Sequence, residues 1–128
     1  MEKIIIVVCN HKGGVGKTTT AFNISSYFAK KGKTLAIDFD PQGNLTDCFG
    51  VEKANIQDFL NGQLSPIKVD DNLDIFTADN SLIDYSYSIQ NEIRREFFLR
   101  DKLTPLEGYN FVVIDCPPAL DLLSINAL

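Results

Sequence analysis

The segment HKGGVGKTTT at residues 11–20 follows the apolar run Ile4–Cys9 after the single residue Asn10, so a glycine-rich loop stands where a buried strand hands over to a helix. Gly13, Gly14 and Gly16 carry no Cβ, and their backbone N–H groups can close around an oxyanion. The helix that follows turns its positive end to the same point. This context makes the run Gly13, Gly14, Val15, Gly16, Lys17, Thr18 and Thr19 a phosphate-binding loop suited to a triphosphate. Lys17 is placed to reach the outer phosphates as a point charge, and Thr18 to give its hydroxyl oxygen to a phosphate-bound Mg²⁺. Such loops ordinarily open on glycine; here His11 takes that position and a second lysine, Lys12, follows it. A lone His at a strand end is a loop hydrogen-bonder more often than a catalyst, and His11 receives no role.

The rest of the chain alternates strand and helix signals, which predicts an α/β fold with a parallel sheet. Lys3–Cys9 is too uniformly apolar for a half-exposed strand and reads as a central parallel strand covered on both faces. A helix is expected from about Gly16 to Lys31, with Ala21, Ile24, Tyr27 and Phe28 on its apolar face and Gly32 as its stop. Thr34–Asp38 and, with weak alternation, Leu73–Thr77 read as strands. Asn55 precedes a short periodic segment, Ile56, Phe59 and Leu60, that stops near Gly62. Between Ser81 and Leu103, residues Leu82, Tyr85, Ile89, Ile93 and Phe97 make one face of a long helix closed by Pro105 and Gly108. Phe111–Ile114 is a further buried strand, stopped by Asp115 and the stiff pair Pro117 and Pro118, and residues 119–128 begin another periodic helix.

Hydrophobic residues make up 45% of the 128 and charged ones 23%, which suits one soluble domain. The apolar run near the N-terminus is too short for a signal-peptide core or a membrane span, and the cytoplasm is the expected compartment. A net charge of −5 argues against a dedicated DNA-binding domain, whose affinity comes largely from neutralising phosphates. The local clusters Lys30, Lys31, Lys33 and Arg94, Arg95, Arg100 read first as solvated helix faces. Cys9, Cys48 and Cys116 are widely spaced, with no C-x-x-C pair, and read as reduced thiols.

In open α/β sheets, ligands bind beyond the carboxyl ends of the strands, where Asn10, Asp38, Asp40 and Asp115 gather. A carboxylate straight after an apolar strand, as in FVVID, is held firmly enough to reach Mg²⁺ through a bound water. Without the glycine loop the same Asp would read as a turn former. Asp38 and Asp40 are two residues apart, so in extended geometry their side chains point the same way. The segment DPQGN also reads as a tight turn, and Gly43 and Asn44 would let it change shape with phosphate occupancy.

Taken in order, KGGVGKTTT, AIDFDPQGNLT (Ala36–Thr46) and FVVIDCPPAL followed by LLSINAL resemble the deviant Walker A ATPases, specifically the ParA/Soj plasmid and chromosome partition proteins. The resemblance implies a P-loop NTPase fold of the SIMIBI type, a parallel sheet with helices on both faces, of which residues 1–128 form the N-terminal part and stop just after the Walker B strand. It implies ATP and Mg²⁺ as cofactors, with Thr18, Asp38 and Asp115 on the metal side and Asp40 orienting the water that attacks the γ-phosphate. Lys12 would reach the partner's phosphates across an ATP-bound homodimer, supplying charge to the transition state alongside Lys17. A centromere-binding ParB-like protein and nonspecific DNA, the latter through a second half, are the implied partners, with no membrane. The implied location is the cytoplasm, at the nucleoid. A MinD-like ATPase shares KGGVGKT but docks on membranes through a C-terminal amphipathic helix, and DPQGN favours the partition reading. A truncated, non-catalytic paralogue that regulates a full-length ATPase is the alternative from another class. If strands beyond this chain border Phe111–Ile114, the outer edge of that strand would be left uncovered.

Overall fold

A computed structural model describes residues 3–8, 17–40, 42–52, 66–78 and 106–115. Its elements are β1 (Ile4–Val8), α1 (Lys17–Ala29), β2 (Thr34–Asp38), α2 (Asn44–Phe49), β3 (Ile67–Asp70), β4 (Leu73–Phe76) and β5 (Phe111–Asp115). The sheet runs in the order β1-β5-β2-β4-β3. β1, β5, β2 and β4 are parallel, and β3 joins β4 as an antiparallel hairpin edge. The expected α/β fold with a largely parallel sheet is therefore observed.

The apolar runs dictate this order of burial. Every residue of β2 and β4 is buried, and Val112, Val113 and Ile114 of β5 are fully so, which requires cover on both faces of the sheet. The weak alternation of Leu73–Thr77 is thus a strand buried on both sides rather than a half-exposed one. Ala21, Ala36, Leu45, Leu73, Ile75 and Val113 form one core cluster, sealed by Phe22 against Phe49 with ring centroids 4.8 Å apart.

β1 departs from expectation. Among the described residues it lies at the edge of the five-stranded sheet and pairs with β5, and Ile4 and Ile5 are 53% and 42% exposed. β5, whose outer edge would lie open if strands beyond this chain bordered it, is flanked on both sides by β1 and β2. Uniform apolarity reports how a strand is built, whereas its place in the sheet is set by which strands pair with it.

α1 runs from Lys17 to Ala29 and presents Ala21 and Ser25 inward, the Ser25 hydroxyl donating to the Ala21 carbonyl at 2.8 Å. Phe28 stacks on Phe111 with centroids 4.4 Å apart. Tyr27, assigned to the apolar face by spacing, is 55% exposed, with Lys31 Nζ 5.4 Å from its ring centre. α1 stops at Ala29, short of the expected Lys31, and Gly32 beyond it does not adopt the left-handed conformation of a glycine stop; its lack of a side chain instead makes room for Asn110, whose Oδ1 would stand 2.6 Å from a Cβ there and accepts the Lys33 N–H.

α2 and β3 were not anticipated. α2 has six residues, too few to show a period, and its boundaries are glycines in the left-handed region, Gly43 with φ 69° and Gly50 with φ 69°. β3 alternates, but over only four residues. The segments at 55–62, 81–103 and 119–128 lie outside the described residues.

The amino ends of the strands are tied together by polar contacts. Lys33 O accepts from Asn110 N at 2.8 Å and Phe111 N at 3.2 Å, and Thr34 N donates to Asn72 O at 2.8 Å. Beside them Asp74 accepts from the Tyr109 hydroxyl at 2.6 Å and pairs with Lys33 Nζ at 3.3 Å. Lys33 is therefore bound into a fold contact rather than joining Lys30 and Lys31 in a basic patch. Arg94, Arg95 and Arg100 lie outside the described residues.

Candidate functional site

Register assembles the site. Val8, Asp115 and Asp38 are Cα partners across β1, β5 and β2, so the three strands end in one row. Cα partners on parallel strands project to the same face, about 4.8 Å apart. Two carboxylates thus stand side by side, next to the strand end from which residues 9–16 depart. Asp38 and Asp115 are both fully buried.

α1 starts beside this row. Its first turn carries no acidic residue, which leaves the positive helix end to an anion. Thr18 Oγ1 stands 3.5 Å from Asp115 Oδ2, at the outer limit of a hydrogen bond. Thr19 is exposed on the same turn. Lys12, Gly13, Gly14, Val15 and Gly16 lie outside the described residues, as do His11 and the side chain of Lys17.

Asp38 is held by its surroundings rather than by the strand alone. Its Oδ2 accepts the Thr46 N–H at 2.9 Å and the Thr46 hydroxyl at 2.7 Å, while Oδ1 accepts the Asp40 N–H at 3.2 Å. α2 lacks a capping side chain of its own, because Gly43 occupies that position, and Asp38 meets its first turn from outside. Burial dominates the carboxyl's acidity and pushes it up to about 6; Thr46 opposes this by hydrogen bonding, and the neighbouring Asp115 charge adds to it.

Asp40 is reached by a turn, not by strand alternation. β2 ends at Asp38, and the chain then folds through two side-chain-to-backbone bonds, Asp40 N to Asp38 Oδ1 and Gln42 N to Asp40 Oδ1 at 3.0 Å. Gly43 N closes on Asp40 O at 2.9 Å, and Gly43 adopts φ 69°, which favours glycine there. Phe39 N continues the ladder to Asp115 O at 2.9 Å, locking this turn to β5. Asp40 is buried within it.

Sequence reasoning assigned no role to Thr46, although it lies at the end of the AIDFDPQGNLT segment. Its hydroxyl also accepts the Ala78 N–H at 3.2 Å, joining the ends of β2, α2 and β4 at one atom. The available signal was a Thr just inside a helix start, and the shortness of α2 hid that start.

The donor set is all oxygen. A Thr hydroxyl and two strand-end carboxylates suit Mg²⁺, which keeps much of its water and is held through one or two carboxylates together with phosphate oxygens. Among the described residues no group of three or more His, Cys, Asp or Glu side chains is placed to hold a metal ion by itself. Three donors already occupy the Asp38 carboxylate, which favours contact with metal-bound water over direct ligation. Cys48 is a free, exposed thiol on α2. Among the described residues no helix is long and apolar enough to cross a membrane.

Comparison with known proteins points the same way. Residues 3–128 match the family model AAA_31, described as an AAA domain. The chain is 40% identical over 136 residues to the chromosome partitioning protein ParA of Myxococcus xanthus, a match covering 97% of this chain and 48% of that protein. It is 40% identical over 135 residues to the sporulation initiation inhibitor protein Soj of Bacillus subtilis, covering 97% and 53% respectively. The chain thus spans about half the length of these curated relatives. Among solved structures, cobyrinic acid a,c-diamide synthase from Mycobacterium smegmatis, with an ATP analogue and magnesium bound, superposes with a TM-score of 0.87 at 31% identity, covering 99% of this chain and 56% of that one.

Proposed function

We infer that this chain, which belongs to the AAA domain family matched across residues 3–128, forms the N-terminal, ATP- and Mg²⁺-binding part of a ParA-type partition ATPase. The observation that carries the reading is the row Val8, Asp115 and Asp38 at the strand ends, with Thr18 at the start of α1 facing Asp115. Phosphates would lie in the cradle of Gly13, Gly14, Val15 and Gly16, against the positive end of α1, with Lys17 on the outer phosphates. When bound, Mg²⁺ would neutralise charge on the phosphates. Thr18 would offer it a hydroxyl oxygen, Asp115 would hold Thr18 and a metal water, and Asp38 would orient a second water. Asp40, fixed by its own turn, would orient the water that attacks the γ-phosphate.

Lys12 would act on a second subunit. From its position ahead of the glycines in sequence, it would place a cation on the partner's phosphates in an ATP-bound homodimer and so couple hydrolysis to dimerisation. In this reading a ParB-like centromere-binding protein stimulates turnover, and nonspecific DNA binding belongs to the part of the relatives' length that this chain does not span. A second reading, an ATP-dependent synthase on the same scaffold, is favoured by the structural likeness to the M. smegmatis enzyme. The greater identity to ParA and Soj favours the partition reading.

The two lysines give the test. In a protein of the relatives' length, Lys17→Ala should abolish binding of a fluorescent ATP analogue, because the outer phosphates lose their direct cation. Lys12→Ala should keep binding and lose ATP-dependent dimerisation, followed by light scattering, together with turnover. Equal loss of binding in both variants would overturn the assigned roles.

A further inference from the structure

We propose that Thr46 is a positioning residue for the metal side of the site, setting the Asp38 carboxylate through its backbone N–H and its hydroxyl. The inference rests on the Mg²⁺-nucleotide reading above and adds to it a residue that contacts neither nucleotide nor metal.

The direction of the hydrogen bonds leaves the hydroxyl no freedom. Thr46, Asp38 and Ala78 are all fully buried. The Ala78 N–H can only donate, and at 3.2 Å it takes a lone pair of Thr46 Oγ1. The hydroxyl proton therefore points to Asp38 Oδ2, 2.7 Å away, beside the Thr46 N–H at 2.9 Å on the same oxygen. Two donors from one residue fix both the tilt and the rotation of the carboxylate. Asp40 N on the other oxygen completes the clamp. Asp115, its register partner, stands beside the clamped carboxylate.

The anchor reaches beyond the site. Ala78 follows β4, the neighbour of β2, so the hydroxyl ties the carboxylate to the ends of two strands as well as to α2. A carboxylate held by one strand end can swing with its own χ1, whereas one clamped from three directions is preorganised for a water on a metal.

Binding of a non-hydrolysable ATP analogue, measured by calorimetry with Mg²⁺ and with chelator, tests this in the wild type, Thr46→Val and Thr46→Ser. Without metal the three should bind alike. The gain in affinity on adding Mg²⁺ should fall by roughly 10-fold or more in Thr46→Val, in line with the effect of losing an outer-shell partner, and return in Thr46→Ser, which keeps the hydroxyl. A general loss of stability would move both conditions together and would not be rescued by serine. An unchanged Mg²⁺ gain in Thr46→Val would overturn the proposal. Should Thr46→Val fail to fold, the wild-type amide resonances of Thr46 and Ala78 decide: they should shift when Mg²⁺ is added to the nucleotide-loaded protein, and unmoved resonances would overturn it. A wild type with no nucleotide affinity in either condition would instead bring down the functional reading, and this inference with it.

Discussion

The two ends of the sheet use the same residue types to opposite effect. At the amino end, Asp74 receives the Tyr109 hydroxyl at 2.6 Å and the Lys33 ammonium at 3.3 Å, so its charge is met by a donor and a cation. At the carboxyl end, Asp38 and Asp115 stand in register as like charges, both fully buried. Hydrogen bonds from Thr46 and Asp40 do not offset the burial of Asp38, whose carboxyl is pushed up to about 6. One end fastens strands, and at the other burial holds the Asp38 carboxyl above the usual carboxylate range beside a second carboxylate.

The largest expected effect lies at the carboxyl end and is kinetic. In a protein of the relatives' length, Asp40→Ala should bind Mg²⁺-ATP and dimerise yet hydrolyse more slowly by on the order of 10²–10⁴-fold, because a water-orienting group is lost while the phosphate cradle remains. Single-turnover hydrolysis alongside nucleotide titration measures both. Wild-type turnover would remove Asp40 from the mechanism, and failed binding would recast it as a structural residue, as its bond to Gln42 N also allows.

Next comes pH. The native state keeps the Asp38 proton up to about pH 6, whereas the unfolded chain releases it near 3.8, so between these values the native state binds more protons. Stability should therefore fall as pH rises through that window and level off above it, by on the order of 3 kcal/mol in all. Denaturant unfolding from pH 4 to pH 8 without metal should show this decline, and Asp38→Asn should flatten it. A wild-type curve that rises between about pH 4 and pH 6, with Asp38→Asn parallel to it, would mean that Asp38 is not held up by burial.

The smallest effect belongs to the amino end. Tyr109→Phe removes a short bond to a carboxylate and should cost roughly 1–2 kcal/mol of stability. Burial, aided by Asp74, raises the Tyr109 phenol's pKa and keeps it a donor, so this loss should not vary across neutral pH. Nucleotide affinity of the folded protein should be unchanged. A selective loss of affinity would show that the two ends are coupled and would break the contrast between them.

Much of this arrangement was legible in the order of residues. A glycine loop between an apolar run and a helix, and an Asp closing FVVI, carry their chemistry locally, and β2 was readable because Gly32 and Asp38 bracket an apolar run. Local signals failed where the deciding contact is distant. Tyr27 matches the helical period but faces out, because period places a residue on a face and the width of the packed surface decides how much of that face is covered. α2 was hidden because its cap comes from Asp38 rather than from the residue before it.

What the chain's own residues determined is the chemistry: which side chains can hold a phosphate, offer oxygen to a magnesium ion or donate from a helix end. What tertiary structure alone decided is proximity. Strand order brought Asp115, 77 residues away in sequence, into register with Asp38 and put β5 rather than β1 in the interior of the sheet. It also turned Thr46, unremarked in the linear sequence, into the atom at which β2, α2 and β4 meet. The physical reason is that motif chemistry is a property of neighbouring residues, whereas burial, like-charge proximity and cap partners depend on pairings between distant strands that no local pattern encodes.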